Sequence, residues 1–478
     1  MTRKLIRAAH VIAFQDGGHR HLRDGVIVIE DDKIAHVGKS FEGEVDEVID
    51  AGDQIVTPGF VNTHIHMTES PLDRSFVEDR GPRQFYNSGL FEFLSARNGA
   101  ITDDARRACV AFSVPELVST GTTTINEIGG FGEDVVNEVG KCGVRAYVGQ
   151  TYRSGRWYTD DGRTVKYEWW EDDGEGAFQK AVKFIEDFDG AQNGRIKGFL
   201  TPSQVDTCSE ALLRRSREAA TEMKVPLHLH TSQSVPEFIE MTHRHGKTAI
   251  EWLEQIGFLG DDVILGHCIM PGGTSWTNYY ADDIGILADT GTNVAHAVWV
   301  FCRRGIAMES YARYLERGVN MTLATDTCPQ SMIEALRWTA VCSKIVDRRT
   351  EVATAADVFN SATLGGAKAL KRDDLGRIAP GAKADLLFFN AGGMFMTPIR
   401  DPIRNIVYSA QADDLRHSMV DGEFIMKDRV VKGFEDVESL AAKVQEGAQY
   451  MWDNMHREDW GHRDINVLSP NSFPEFRP

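Results

Sequence analysis

The sequence predicts an α/β protein, a (β/α)8 TIM-like barrel joined to a small composite β-sandwich built from both chain ends. Three observations carry this. Through the middle of the chain, apolar strand-like runs alternate with stretches long enough for a helix, the order that builds a parallel sheet with crossover helices. Eight such runs occur, the count of a closed barrel. Short β-prone runs separated by turns stand near both ends of the chain.

At the N-terminal end those runs cover residues 8–14, 25–30 (GVIVIE), 33–37 (KIAHV) and 55–56. The same texture returns at 384–390 (ADLLFFN), 418–420, 423–426 and 429–431, so the chain leaves one β-unit and comes back to it. The barrel strands are expected at residues 56–66, 122–127, 144–150, 196–201, 227–231, 263–267, 293–297 and 319–326. This gives β-sandwich parts at 1–57 and 376–433, a barrel over 58–375, and a C-terminal helix and arm over 434–478. In that last segment Val437, Leu440, Val444, Ala448, Met451 and Met455 recur three or four apart, the spacing of one helix face. The final LSPNSFPEFRP is proline-rich and does not fold alone; it packs on its own domain or reaches a neighbouring subunit.

The composition, 42% hydrophobic and 26% charged over 478 residues, is that of a globular protein with a sizeable core. A net charge of −19 repels nucleic acid and anionic membranes and leaves a small molecule as the expected partner. The N-terminal apolar stretch is short and broken by His10, and no apolar run approaches the roughly 20 residues of a membrane helix. Seven cysteines at scattered spacings, without a CxxC pair, are no disulfide framework and point to a reducing cytoplasm.

The strongest local signal is TPGFVNTHIHM, residues 57–67. In a strand, His64 and His66 point to the same side and can reach one metal ion. In VPLHLHTSQ, residues 225–233, His228 and His230 again share a face. His267 ends the apolar run of VILGHC, and Asp326 ends that of MTLATDTC. A single strand-end His or Asp reads as a satisfied polar residue at a loop mouth. Four strands ending in metal-ligand types at the C-terminal rim of one barrel read as a metal-centred site.

These motifs resemble the amidohydrolase superfamily, in particular its branch of cytosine- and adenosine-type deaminases, triazine chlorohydrolases and phenylurea and thiocarbamate herbicide hydrolases. The resemblance covers most of the chain: PGFVNTHIH at strand one, GTTT at two, LHLH at five, GHC at six, TD at eight, then LGRIAPGAKADLLFF leading back into the β-unit. It implies one divalent metal per chain held by His64, His66, His230 and Asp326, with His228 as neighbour and His267 close to the metal water and the substrate. Lys197 is too early in its strand to be the carbamylated lysine of binuclear relatives. Three imidazoles and a carboxylate suit zinc first, with iron, cobalt or manganese as alternatives. In such a site the metal lowers the pKa of bound water toward ~7 and polarises the electrophile. Asp326 would carry the water's proton to the leaving nitrogen, and His267 would stabilise the developing charge. Relatives are usually dimers or higher homo-oligomers.

One position departs from the pattern. Deaminases of this branch carry, three residues after the strand-five His, a Glu that protonates a substrate ring nitrogen; this chain has Gln233. An amide orients a substrate but cannot shuttle a proton. The first expectation is therefore a hydrolase of an amide, aryl-urea or carbamate C–N bond in an aromatic molecule. The alternative is an aminohydrolase, deaminase or chlorohydrolase of an N-heterocycle of triazine, pterin, purine or pyrimidine type. Glu69 or Glu127 would then supply the acid, although a salt bridge or surface place is the simpler expectation for both. A catalytically silent scaffold is disfavoured because no ligand position is lost. Aromatic loop residues, among them Phe85, Tyr86, Tyr152, Trp157, Tyr158, Tyr167, Trp169, Trp170, Trp299 and Phe301, either form an aryl pocket or pack the loops. Arg74, Arg83, Arg153, Arg303 and Arg304 either bind a carboxylate or form rim ion pairs.

Overall fold

A computed structural model describes residues 2–476. Eight parallel strands form the barrel: β1 (Phe60–Ile65), β2 (Thr122–Gly129), β3 (Arg145–Tyr152), β4 in two pieces (Ile196–Gly198 and Thr201–Pro202), β5 (Leu227–Thr231), β6 (Val263–His267), β7 (Asn293–His296) and β8 (Asn320–Leu323). Two ladders, β1 to β4 and β5 to β8, close into a ring through two seams. At one, Leu200 bridges to Leu227 and Gln204 to His230; at the other, Ile65 bridges to Asp326. The second seam is reinforced where the Asp326 N–H donates to His64 O at 3.0 Å and the His66 N–H donates to Asp326 O at 2.9 Å. Every residue of β1, β5 and β6 is buried, because helices cover the outside and side chains fill the inside. β6 (VILGH) accordingly reads as a near-continuous apolar run, while β1 (FVNTHI) and β5 (LHLHT) mix apolar residues with buried polar ones. The fourth strand is not continuous over 196–201 as predicted: Leu200 turns to pair with β5 while Thr201 and Pro202 pair with β3.

Both chain ends share one nine-stranded sheet, as the sequence predicted. Its N-terminal part is a long hairpin, Arg3–Gln15 against Gly18–Glu30, turned by Asp16 and Gly17 at φ 50° and 75°. Two positive φ values in a two-residue loop match the twist of the flanking strands, so the hairpin extends through the polar residues 18–24 that hydrophobicity alone leaves out. Ile55–Pro58 links the halves, parallel to Arg3–Gln15 and antiparallel to Leu386–Phe389. Leu415–Val420, Glu423–Lys427 and Val430–Val431 follow outward. Ile6, Val11, Ile27, Ile29, Leu386 and Phe388 build the core of this unit. Arg145, at the start of β3 and 1% exposed, fastens the barrel to it. Its guanidinium donates to both Asp385 oxygens at 3.2 Å and to Asp421 Oδ1 at 2.7 Å.

The predicted C-terminal helix spans Val437–Glu458. Ala448, Met451 and Met455 pack against Leu72, Phe93, Ala96, Ala105 and Cys109 of the same chain. Past the helix, Trp460 Nε1 donates to Glu92 Oε1 at 3.1 Å, and Arg463 pairs with Glu92 and Asp459. The arm thus braces the segment around residues 88–98, which forms one wall of the cavity described next. Among the described residues no helix is long and apolar enough to cross a membrane.

Candidate metal centre and active-site cavity

The C-terminal ends of β1, β5, β6 and β8 bring His64, His66, His230, His267 and Asp326 to one point. Alternation along a strand puts His64 and His66 on one side, and likewise His228 and His230. The two pairs then occupy two depths of the barrel. In the upper layer His66 Nε2 lies 3.1 Å from His230 Nε2; in the lower layer His64 Nδ1 lies 3.1 Å from His228 Nε2. His230 lines the cavity and His228 lies beneath it, fully buried. Asp326 Oδ1 stands 3.6 Å from His64 Nε2 and 3.5 Å from His66 Nε2, and Asp326 Oδ2 stands 3.8 Å from His267 Nε2.

Ring orientation is fixed by backbone carbonyls. His66 Nδ1 lies 2.5 Å from Ile128 O and His230 Nδ1 lies 2.7 Å from Ser203 O. A carbonyl only accepts, so both rings carry a proton on Nδ1, and a ring that is neutral presents a bare Nε2. Burial, and after it the neighbouring His66, pushes His230 down to about 4, so it is neutral near pH 7. With both rings neutral, two bare nitrogens face each other at 3.1 Å. Beside them His64 Nε2 is buried without any hydrogen-bond partner. Without a cation between them this arrangement is repulsive. Ligands ~2.0–2.1 Å from a tetrahedral zinc stand about 3.3 Å apart, close to the 3.1–3.6 Å separations here. The donor atoms of His64, His66 and Asp326, and those of His64, His230 and His267, each fall within 4.8 Å of one another.

The backbone at two of these strand ends is unusual. His267 has φ 100° and Asp326 has φ 61°, both in the left-handed region that non-glycine residues avoid. Such conformations cost on the order of 1–3 kcal/mol each and persist where surrounding contacts enforce them. Here the seam hydrogen bonds to His64 and His66 hold Asp326, and Cys268 N–H donates to Thr231 O at 3.1 Å beside His267. Gly266 makes room below: a Cβ there would lie 2.9 Å from His64 Cε1 and 3.1 Å from His228 Cε1.

Over this floor opens a cavity of about 510 Å³. Tyr152, Trp157, Trp170 and Phe301 line it, as does Phe131, which the sequence reading passed over. Phe301 meets His267 edge-on with ring centres 4.8 Å apart. Other loop aromatics are structural: Tyr167 and Trp169 stack on each other and both contact the Arg244 guanidinium, Trp299 packs on Trp338, and Phe85 packs on Phe91. Gln233 is 5% exposed and lines the cavity, its backbone N–H held by Glu237 Oε2 at 3.2 Å. Burial, then Asp206, pushes the Glu237 carboxyl well up. Glu237 is visible in sequence only as the third residue after the helix cap Ser234.

Neither acid weighed as a substitute for the missing glutamate is at the surface. Glu69 lines the cavity and pairs with Arg97 at 3.4 Å and Arg106 at 3.8 Å. Burial raises its carboxyl, but Arg97, with His66 and Arg106, outweighs that and holds it below the ordinary range. Glu127 is fully buried beneath the cavity; Oε2 accepts from Met67 N–H at 2.8 Å, Oε1 has no partner, and burial pushes the group well up. Sequence reasoning missed Asp73 and Arg97, whose ion pair is buried in the same wall. Of the basic residues, Arg74 pairs with Glu116, Arg303 pairs with Glu78, and Arg83 is exposed. Arg153 and Arg304 line the cavity. Lys197 pairs with Asp189 at 3.2 Å, well away from the site.

Residues 55–425 match the amidohydrolase family. The chain is 29% identical over 450 residues to a 5′-deoxyadenosine deaminase of Methanosarcina mazei, covering 93% of this chain and 97% of that one. Its fold is similar to that of an adenosine deaminase from Xanthomonas campestris with bound zinc, with a TM-score of 0.81 at 20% identity, covering 94% of this chain and 98% of the other. A triazine hydrolase from Arthrobacter aurescens superposes with a TM-score of 0.80 at 22% identity, covering 94% and 100%. The chain therefore belongs to the amidohydrolase family, metal-dependent hydrolases acting on carbon–nitrogen bonds.

Proposed function

We propose that this chain hydrolyses a substituent, in the first place an amino group, from an aromatic N-heterocycle of purine or triazine type. The observation that carries this is the convergence of bare imidazole nitrogens and one carboxylate on the floor of an aromatic-walled cavity. The near full-length similarity to a deoxyadenosine deaminase favours the amino group over the amide, urea or carbamate bond that Gln233 first suggested. His64, His66, His230 and Asp326 would hold one divalent metal, for which zinc suits the nitrogen-rich donor set. When bound, it lowers the pKa of water and polarises the electrophile.

The remaining work falls to the chain's own residues. Asp326 accepts a proton from the attacking water and delivers it to the departing nitrogen as the C–N bond breaks, so water and amine become hydroxyl product and ammonia. His267, beside Asp326, faces the oxygen that adds to the ring and stabilises its charge. Gln233 donates an amide N–H toward a ring nitrogen, which polarises the ring without protonating it. Phe301, Trp157 and Phe131 line the cavity with apolar surface that suits an aryl substrate and excludes water.

The test is a product-resolved assay on metal-loaded protein with 5′-deoxyadenosine, adenosine, aminotriazines, chlorotriazines, aryl ureas and anilides. Ammonia release is the expected result. A second reading, cleavage of an amide, aryl-urea or carbamate bond, is favoured by one observation: a buried Gln233 cannot supply the ring proton. Aniline-type amine release without ammonia would replace the first reading by this second one.

A further inference from the structure

The cavity has a charge balance opposite to that of the protein. The chain carries −19, yet the cavity is lined by four arginines and three carboxylates, before any metal adds its charge. Two of the arginines are neutralised: Arg97 pairs with Asp73 and Glu69, and Arg106 pairs with Glu69. Arg153 stacks on Trp157 and Trp170, with its guanidinium carbon 5.8 and 5.5 Å from the ring centres. Arg304 has none of these uses. Among the described residues no carboxylate forms an ion pair with it, its side chain makes no hydrogen bond, and its Nε is buried without a partner.

The adjacent residue shows what a structural arginine looks like here. Arg303 shares the unpartnered buried Nε, but its terminal nitrogens are used: it pairs with Glu78, donates to Cys328 O at 2.8 Å and reaches Thr327 Oγ1 at 3.4 Å. Arg304 instead lies against Gly89, where an added Cβ would stand 3.7 Å from its Cζ, and shares the cavity wall with Phe301 and Asp326. Burial, then Arg303, pulls its guanidinium down to about 10, which leaves it charged near neutral pH. Asp73 and Asp326 favour its charge without pairing with it, and a half-buried cation with a covered Nε and no direct partner is one that an anionic ligand would complete.

We propose that Arg304 receives an anionic group of the substrate, a carboxylate matched to its planar fork. This deepens the reading above and rests on the cavity being the reaction site. The substrate would then be a heteroaromatic acid, or a heterocycle bearing an acidic substituent, held near the reacting carbon.

Titration calorimetry on metal-loaded protein with nicotinate and nicotinamide, which share a ring and differ in charge, tests this without requiring turnover. Nicotinate is expected to bind about tenfold or more tightly than the amide, in keeping with a charge-assisted hydrogen bond. In R304M the ratio should fall to near unity, and R304K should keep part of it, with metal content and melting temperature unchanged in the lysine variant. A preference for nicotinate that survives in R304M, or a wild-type protein that binds acid and amide equally or neither, overturns the proposal. Failure of the ammonia assay would overturn the reaction reading and leave this binding ratio intact as a separate result.

Discussion

A methyl group added at Gly266 should loosen the metal site while leaving the barrel folded. In Gly266→Ala the new Cβ would meet His64 Cε1 at 2.9 Å, His64 Nδ1 at 3.0 Å and His228 Cε1 at 3.1 Å. Carbon contacts relax to about 3.5 Å, so the His64 ring must shift by roughly half an ångström. Metal–ligand distances tolerate only about 0.2 Å, and the same shift strains the 3.1 Å contact to His228 that orients the ring. Disturbing a supporting contact of this kind weakens metal affinity about 10–100-fold, and overpacking a buried site costs about 1–3 kcal/mol. Competition with a chromophoric zinc chelator reads the first quantity and urea unfolding of the metal-free protein reads the second. Wild-type affinity in the alanine variant would refute the placement of His64 as a ligand oriented from below by His228.

Three further expectations follow from the site and its surroundings. Asp326→Asn should lower kcat by about 10²–10⁴ in metal-loaded protein, because it removes the proton carrier; activity within tenfold of wild type would exclude that role. Gln233→Glu should raise ammonia release from aminopurines by roughly 10²-fold by restoring a ring acid, whereas loss of all activity would give the amide itself an indispensable part. His19 is held by burial, and secondarily by Arg377, at about 4, against 6.5 for the unfolded chain. Between these values the unfolded state binds the extra proton, so its contribution is present above pH 6.5 and is lost as pH falls toward 4, by about 3 kcal/mol. Urea midpoints at pH 7 and pH 5 should therefore converge in His19→Gln, and an unchanged pH slope would count against this assignment.

Much of the site was legible because its chemistry is written in local periodicity. His64 with His66 and His228 with His230 are two-residue repeats, and His267 and Asp326 terminate apolar runs. What sequence cannot express is depth and loop placement. That His230 lines the cavity while His228 lies beneath it follows from strand position in a closed ring. The carbonyls of Ile128 and Ser203 hold the Nδ1 side of each ring and leave no trace in residue type. Gly266 resembles any strand glycine until the imidazole above it is seen, and Arg303 and Arg304 are adjacent letters with opposite surroundings. The same holds for the fold: the sheet shared by both chain ends was readable from β-prone runs, but the full N-terminal hairpin depends on the Asp16–Gly17 turn, which carries polar strands.

Elemental analysis of the purified chain beside its His66→Asn/His230→Asn double variant tests the central claim most directly. The account predicts about one divalent metal per wild-type chain and loss of most of it in the variant, since both facing nitrogens are removed from the donor set. Full metal occupancy in the double variant, or a wild-type chain that takes up no metal from a buffered zinc solution, would contradict it.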